Sequence, residues 1–232
     1  MVNRAHGKSV AQKFVFFLGH LTIILFCIWL ALFHGWESIG SFFAKDFVLI
    51  DSGRAKLLLT CAVFYFIRQA VTLFYLLQRK VDWSEVFGLL AFFAFFEVGL
   101  LLIGGGTFRD YTIPLGYLDL FALALLLLGS YLNTYSEIQR KWWKQSPENK
   151  GHCYTEGLFS VATHINFFGD TILFVGWCLF TVNLWALGLP LFMAGTFVFF
   201  HIPNLDRYLA TRYGKEFVDY ATQTKKFIPY IY

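Results

Sequence analysis

Residues 163–170 place a histidine, an asparagine and an aspartate where a polar stretch gives way to an apolar run. These side chains are His164, Asn166 and Asp170, and burying them without partners is energetically unfavourable. The free N–H groups at the start of a helix also attract anions. The combination favours a ligand-binding site over simple helix packing.

A second polar group lies in the NTYSEIQRKWWKQSP stretch that begins at Asn133. Arg140 and Lys144 are four residues apart, so they share one face of a continuing helix. Asn133 and Glu137 lie on that face in the two preceding turns. Arginine binds a phosphate through two N–H groups and lysine adds a point charge, so this face suits phosphate. It equally suits a basic segment held at anionic lipid headgroups.

The C-terminal segment adds His201, Asp206 and a charged, aromatic tail. Tyr213, Phe217 and Tyr220 recur at a helical spacing within it. An interfacial amphipathic helix with an aromatic belt has the same pattern.

Several kinds of site have no pattern in this sequence. The four cysteines, Cys27, Cys61, Cys153 and Cys178, form no CxxC or Cys/His spacing, and no metal site is expected. Basic residues form no stripe outside the loops, which argues against a nucleic-acid partner. No Walker motif or GxGxxG after a strand is present, so any nucleotide cofactor has to bind within a helical bundle.

The elements that position these groups follow from composition. Hydrophobic residues make up 57% of the 232-residue chain and charged residues only 15%. A water-soluble domain carries about 25% charged residues, so this chain cannot cover a water-facing surface. It is predicted to be a multi-pass integral membrane protein, in either a bacterial inner membrane or an endoplasmic reticulum membrane.

Six apolar runs approach the length of about 20 residues that crosses a bilayer. They are 14–33, 56–77, 86–103, 113–132, 165–182 and 184–202. The last two are short and nearly continuous, which predicts a helical hairpin with a tight turn at Asn183. A loop is predicted over 104–112. The fold class is therefore an all-α polytopic bundle of about six transmembrane helices, forming a single domain.

Basic residues are distributed unevenly between the segments that join the six runs. With the N-terminus in the cytoplasm, fourteen fall on the cytoplasmic side and four on the other. The cytoplasmic set is Arg4, Lys8, Lys13, Arg79, Lys80, Arg140, Lys141, Lys144, Lys150, Arg207, Arg212, Lys215, Lys225 and Lys226. The positive-inside rule then predicts that both termini are cytoplasmic.

Ionisable residues within the runs are unfavourable in lipid and often functional. Two interpretations apply. Arg68 pairs with Glu97 or Asp119 to stabilise packing, or Glu97 faces a cavity and acts as a proton donor or an orienting group. His20 is expected to be a satisfied packing residue. Asp119 is near enough to a helix end to reach outward to water.

At these residues the C-terminal part of the chain resembles known membrane enzymes. The HxNFxGD pattern from His164 to Asp170, the RYGKEFxxY segment around Tyr213 and the final IPYIY resemble membrane sterol reductases. Those enzymes carry RHxNYxGD, KYGxxWxxY and IPxxY. The order of Asn133, Ser136, Glu137, the GLF turn at 157–159, the NFxGD motif and the IPY tail is also similar to steroid 5-alpha-reductases and related bacterial proteins. The resemblance covers about residues 133–232.

The resemblance implies roles for individual residues. Arg140 and Lys144, before Pro147, match a basic pair that contacts NADPH phosphates, and Tyr213 matches a tyrosine that assists proton delivery. On this basis the expected catalytic residues are Tyr213 and Glu97. The expected cofactor-binding residues are Asn133, Glu137, Arg140, Lys144, His164, Asn166, Asp170, His201, Asp206 and Tyr220. No residue is assigned to a metal.

Three departures from the reductase pattern keep other functions open. Thr163 replaces the arginine before the histidine, His201 stands where a further arginine is usual, and of an acidic pair only Asp206 remains. Isoprenylcysteine carboxyl methyltransferases and phospholipid methyltransferases share the architecture and bind S-adenosylmethionine. They usually read RHPxYxG and carry tandem glutamates, neither of which this chain has.

The leading hypothesis is an NADPH-dependent membrane reductase of a C=C bond in a lipophilic, sterol-, steroid- or isoprenoid-like substrate. Residues 1–132 are predicted to form the substrate side and residues 133–232 the cofactor-binding half. The first alternative is an S-adenosylmethionine-dependent membrane methyltransferase. The second is a non-enzymatic protein that binds a lipid.

Overall fold

The computed structural model describes residues 7–232, and the regular secondary structure in that range is helical. Its nine α-helices are α1 Val10–Leu32, α2 Gly35–Phe42, α3 Ser52–Val71, α4 Trp83–Gly104, α5 Tyr117–Trp143, α6 Ile165–Leu179, α7 Gly188–Thr196, α8 Ile202–Tyr213 and α9 Lys215–Gln223. The predicted all-α class is therefore confirmed. Arg4, counted among the cytoplasmic cations, lies outside the described residues.

Five helical segments within residues 7–232 are long and apolar enough to cross a membrane. They are Val10–Leu32, Ser52–Leu76, Trp83–Gly104, Tyr117–Trp143 and Leu184–Tyr213. The sixth predicted run forms the shorter apolar helix Ile165–Leu179. Large side chains such as Phe95, Leu191 and Phe192 are exposed along these helices, as expected of residues that face lipid. The placement of both termini in the cytoplasm remains a prediction.

The observed helix bounds differ from the predicted ones in three places. The short helix α2, between the first two spans, was not predicted. Helix α5 starts at Tyr117, after Pro114, and continues to Trp143. The last span continues through Pro203 to Tyr213 and does not end at Ile202. A π-helical turn, Phe197–His201, ends two residues before this proline. It accommodates the clash that proline makes with the carbonyl four residues earlier.

The chain forms two compact units. The first contains the described residues up to Asp119 together with Leu179–Ala186, and the second contains Leu120–Cys178 and Leu187–Tyr232. In the first unit α1 packs against α3 and α4. The assignment of residues 1–132 to substrate and 133–232 to cofactor is a separate, functional prediction and remains one.

Two buried side-chain contacts inside the first unit correct the expected pairings. Glu97 binds His20, whose Nε2 lies 2.8 Å from Glu97 Oε1, and both side chains are buried. Asp119 binds Arg54 at 2.7 Å and is buried, so it does not reach outward to water. The predicted pairing of Arg68 with Glu97 or Asp119 is wrong, because those carboxylates contact His20 and Arg54 instead. His20 is a satisfied packing residue, as expected.

The second unit is held together by close contact between α5 and α6. A Cβ added at Gly129 would overlap the backbone of Leu173 and Gly169, and one at Gly176 would overlap the backbone of Ala122. Glycine at these positions therefore lets the two helix backbones touch. This close approach sets the distance between the polar residues that the two helices carry.

Candidate functional site

The close contact of α5 and α6 brings three predicted residues together. The amide nitrogen of Asn133 donates to the main-chain carbonyl of Asn166 at 2.9 Å. The side-chain amide of Asn166 donates in turn to Glu137 Oε1, also at 2.9 Å. Asn166 is 33 positions from Asn133 and 29 from Glu137, and the three residues form one hydrogen-bonded chain of amide and carboxylate groups.

Arg140 extends this chain by one turn of α5. Its guanidinium pairs with Glu137, and it lies over the ring of Phe159 at 5.5 Å from the ring centroid. The pair is partly exposed. A guanidinium has five N–H donors, so the contact with Glu137 leaves donors for a further anion.

Lys144 follows one turn later and contacts the end of α8. Its ammonium donates a 2.6 Å hydrogen bond to the phenol oxygen of Tyr213. The ammonium also lies 5.1 Å from the centroid of that ring, and the Arg212 guanidinium lies 5.5 Å from it. Because the Lys144 ammonium donates to a lone pair of the phenol oxygen, the phenol hydrogen points away from the ammonium. This geometry suits a proton donor.

His164 and Asp206 form a second polar group in the same unit. His164 Nε2 lies 2.7 Å from Asp206 Oδ1, and the imidazole is buried. Lys226 Nζ lies 3.4 Å from the other oxygen of that carboxylate. These contacts join the residue before α6, the helix α8 and the tail.

The tail is positioned by main-chain hydrogen bonds. The N–H of Thr163 donates to Lys225 O at 2.8 Å, and that of His164 to Lys226 O at 2.9 Å. These bonds satisfy donors just before α6 that otherwise lack helical partners. They also explain how Lys226 comes to lie beside Asp206.

Aromatic rings connect His164 with His201. The ring of Phe167 stacks on Phe197 with centroids 4.6 Å apart, and lies 5.8 Å from His164 and 6.4 Å from His201. His201 is exposed, at the end of the π-helical turn. Asp170 lies one turn beyond Asn166 on α6 and is half-buried. Both residues thus belong to the elements that carry the site.

The hydroxyl of Tyr220 is used in a hydrogen bond within the protein. Its hydroxyl donates to the Phe159 carbonyl at 2.5 Å, and burial, followed by the charges of Cys153 and Tyr154, raises the pKa of the phenol. The hydroxyl is thus held protonated against the GLF turn. Its expected contact with a cofactor remains a prediction.

Glu97, the other expected catalytic residue, belongs to the first unit, whereas Tyr213 and the cofactor-binding set belong to the second. One of its carboxylate oxygens, Oε2, is buried and has no hydrogen-bond partner among the described residues. His20 holds the other oxygen. Its role in proton supply remains a prediction.

Three residues make contacts in the second unit that were not predicted from the sequence. Gln139 accepts a 3.1 Å hydrogen bond from Leu158 N and so fixes the GLF turn against α5. Glu216 accepts from the N–H of Cys153 at 3.0 Å. Lys226 binds Asp206, and its place directly before the FIPYIY tail is the one sequence signal that could have indicated it.

Cys153, the loop thiol, is not a nucleophile candidate. Burial, followed by the charge of Glu216, raises the pKa of this thiol to about 11. Since the thiolate is the reactive form, the group is held in its unreactive state.

Comparison with known proteins places the chain in a family. The chain belongs to the family described as protein of unknown function (DUF1295), which matches residues 76–224. This family is related to steroid 5-alpha-reductase-like membrane proteins.

The chain is also similar to a curated fungal protein, "Probable O-methyltransferase ustE" from Ustilaginoidea virens. The two are 32% identical over 110 residues, which is 47% of this chain. The matched part is 37% of the relative, so the chain spans little more than a third of that protein's length.

Proposed function

We propose that this member of the DUF1295 family is a membrane-embedded enzyme, and that it reduces a C=C bond of a lipophilic substrate with NADPH. The observation that carries the proposal is the Lys144–Tyr213 contact, a phenol whose oxygen is held by an ammonium at 2.6 Å. Reduction of a polarised C=C bond needs a hydride and a proton. Tyr213 is positioned to supply the proton.

The donor groups of the second unit fit parts of such a cofactor. The amide groups of Asn133 and Asn166 suit the hydroxyl groups of a ribose or the amide of a nicotinamide, and Glu137 orients Asn166 by accepting its hydrogen bond. Arg140, in the last turn of α5, and Lys144, directly after its end, are four residues apart and suit phosphate. When bound, NADPH supplies the hydride; the chain's own residues orient it and exclude water.

Lys226 supplies a cation close to Thr163, which stands where the sterol reductases carry an arginine. The ammonium of Lys226 contacts one oxygen of the Asp206 carboxylate, and the buried His164 contacts the other. A positive charge is therefore present near His164, although it comes from the tail and not from the residue before the histidine. We propose that Lys226 replaces part of the positive charge that the arginine before the histidine provides in the sterol reductases.

A second candidate function has its own supporting observations. Glu137 pairs with Arg140 and thereby neutralises one of the two cations expected to hold phosphate. S-adenosylmethionine carries a positive sulfonium and no phosphate, so an acidic group is favourable beside it. The name of the fungal relative, a probable O-methyltransferase, supports the same class. The candidate is a membrane methyltransferase.

Thermal unfolding of the detergent-purified protein tests these candidates. A ligand that binds only the folded state raises the melting temperature by mass action. We expect NADPH to raise it and S-adenosylmethionine to leave it unchanged. Stabilisation by S-adenosylmethionine alone would replace the reductase by the methyltransferase, and no response to either or to NADH would favour a non-enzymatic lipid-binding protein.

The double variant Arg140→Ala/Lys144→Ala tests the phosphate assignment. We expect it to lose the stabilisation by NADPH because both phosphate-binding cations are gone. Lys141→Ala/Lys150→Ala is the matched control, since it removes two cations from the same segment. Unchanged NADPH affinity in the first variant contradicts the assignment.

A further inference from the structure

A groove of about 450 Å³ lies in the first unit, between the start of α1 and the π-helical turn Thr72–Leu76 that ends the second span. Its lining includes Lys8, Val10, Lys13, Phe14, Phe74 and Leu77. Charged and apolar side chains therefore line the same space. None of them has a part in the proposed reduction.

Lys13 provides the fixed cation of the groove. The residue is buried, and its ammonium donates to the carbonyl of Leu77 at 2.5 Å. Leu77 ends the helical segment with an extended backbone, so its carbonyl is outside the regular helix bonding. An ammonium has three N–H donors. The remaining donors of Lys13 have no partner within residues 7–232.

Two further lysines add uncompensated charge beside Lys13. Lys8 lines the groove, and the aliphatic chain of Lys80 lies against Gly7 at its edge. The neighbouring Arg79 is paired with Glu85, whereas neither lysine has a carboxylate partner in the part of the chain that the structure describes. The result is three ammonium groups around one opening.

The start of α1 increases the attraction for an anion. The Ser9 hydroxyl accepts a 3.0 Å hydrogen bond from Val81 N and makes no capping bond to α1. The first-turn N–H groups of this helix are thus uncapped by a side chain. Such groups carry partial positive charge and favour a negative ligand.

Apolar side chains continue outward from the charged end. Val10, Phe14 and Phe74 are 68%, 55% and 54% exposed, although all three line the groove. They belong to helices that are long and apolar enough to cross a membrane. A free anion would leave this apolar wall uncovered, whereas an amphiphile with an anionic head covers it.

We propose that this groove binds one anionic phospholipid. Its phosphate contacts Lys8, Lys13 and Lys80, and its acyl chain lies along Phe14 and Phe74. All three lysines belong to the set that is predicted to be cytoplasmic, where the leaflet carries anionic lipids. The proposal is independent of the proposed function, because it concerns the other unit and no reaction.

Native mass spectrometry of the detergent-purified protein, mixed with phosphatidylglycerol or phosphatidylcholine of equal chain length, tests the proposal. We expect one phosphatidylglycerol molecule to be retained and to raise the melting temperature, with a much weaker effect of phosphatidylcholine. In Lys8→Gln/Lys80→Gln the affinity should fall about tenfold or more, because each lysine near an anionic headgroup contributes separately. Both substituted side chains are exposed, so the fold is retained.

The matched control is Lys45→Gln/Lys56→Gln, which removes two exposed lysines of the same unit away from the groove. It should bind phosphatidylglycerol like the unaltered protein. Equal binding of the two lipids, equal losses in both variants, or full stabilisation by inorganic phosphate alone would overturn the proposal.

Discussion

Lys144 Nζ donates a 2.6 Å hydrogen bond to the phenol oxygen of Tyr213, and so joins the end of α5 to the end of α8 across 69 residues of sequence. The contact exists because the fourth span continues past residue 132 to Trp143, and the last span past residue 202 to Tyr213. Lys144 carries the charge that the phosphate assignment needs, and Tyr213 the hydroxyl that proton delivery needs. A single contact thus connects the two chemical roles.

Tyr213→Phe removes the proton donor and leaves the aromatic packing. We expect kcat for reduction to fall by about 10²- to 10⁴-fold, the usual contribution of general acid catalysis, while the Kd for NADPH changes little. The loss of NADPH absorbance with a panel of steroid and isoprenoid enones measures the rate. Tyr208→Phe, on the same helix, should retain activity. Equal rates in the two variants would remove Tyr213 from catalysis.

Glu137→Gln separates the two candidate cofactors by the sign of its effect. The amide oxygen can still accept from Asn166, but the negative charge beside Arg140 is gone. Coulombic interaction then favours an anionic ligand and disfavours a cationic one. We expect NADPH to bind about fivefold more tightly, and any binding of S-adenosylmethionine to weaken.

Isothermal titration with each cofactor gives the change directly. Glu148→Gln, in the exposed loop after α5, is the control for a general charge effect. Weaker binding of NADPH to Glu137→Gln would mean that the carboxylate itself holds the cofactor.

Gly129→Val tests the close contact of α5 and α6. The added side chain meets the Leu173 and Gly169 backbone, which cannot move without separating the helices, so overpacking of about 1–3 kcal/mol or more is expected. Unfolding in detergent with a denaturing co-detergent measures it. Gly195→Ala is the control: nothing lies within 4 Å of the added Cβ, and alanine in a helix is slightly stabilising. Equal stability of both variants contradicts the packing.

Arg54→Met tests the buried ion pair in the first unit. Arg54 donates to Asp119 and also to the carbonyl of Phe180 at 2.7 Å. Breaking a buried pair by removing one partner typically destabilises by about 3–5 kcal/mol, because the remaining charge stays buried. Arg54→Met/Asp119→Leu should recover part of this loss. Lys56→Met, an exposed neighbour on α3, should be neutral, and an equally neutral Arg54→Met would disprove the role.

Protonation of Asp51 is expected to destabilise the first unit at acid pH. Burial alone raises the pKa of this carboxyl, but hydrogen bonds from the N–H groups of Ile113 and Arg54, and from the Arg109 guanidinium, outweigh it and hold the pKa below its ordinary value of 3.8. A carboxyl with a depressed folded pKa stabilises the fold above its unfolded pKa. That contribution is lost as the pH falls through the folded value.

Melting temperatures recorded from about pH 6 down to about pH 3 therefore should fall less steeply for Asp51→Asn than for the unaltered protein. The variant should also start from a lower melting temperature at neutral pH. Asp46→Asn, an exposed residue nearby, should keep the original slope. If the melting temperature of Asp51→Asn fell with pH as steeply as that of the unaltered protein, other groups would cause the loss of stability at acid pH.

The membrane-spanning architecture could be predicted because it depends on local composition. Runs of apolar residues, the turn near Asn183 and the loop after Gly104 are each properties of a few neighbouring residues. Helix ends were less predictable: α5 passes its apolar part and continues to Trp143, since polar residues such as Glu137 and Gln139 find partners on other elements. The sequence alone does not contain those partners.

For the site, residue types and motif order indicated Asn133, Glu137, Asn166 and Tyr213, because amides, carboxylates and a phenol at helix ends need partners wherever they are buried. Which partner each one takes is decided by tertiary structure. Glycines at 129 and 169 bring α5 and α6 into contact, and the tail brings Lys226 to Asp206. Likewise, Arg68 could not be excluded as the partner of Glu97 until the packing of α1 placed His20 there. Hydrogen bonds and ion pairs act over about 3 Å, so sequence can supply the groups, but only the fold sets the distances between them.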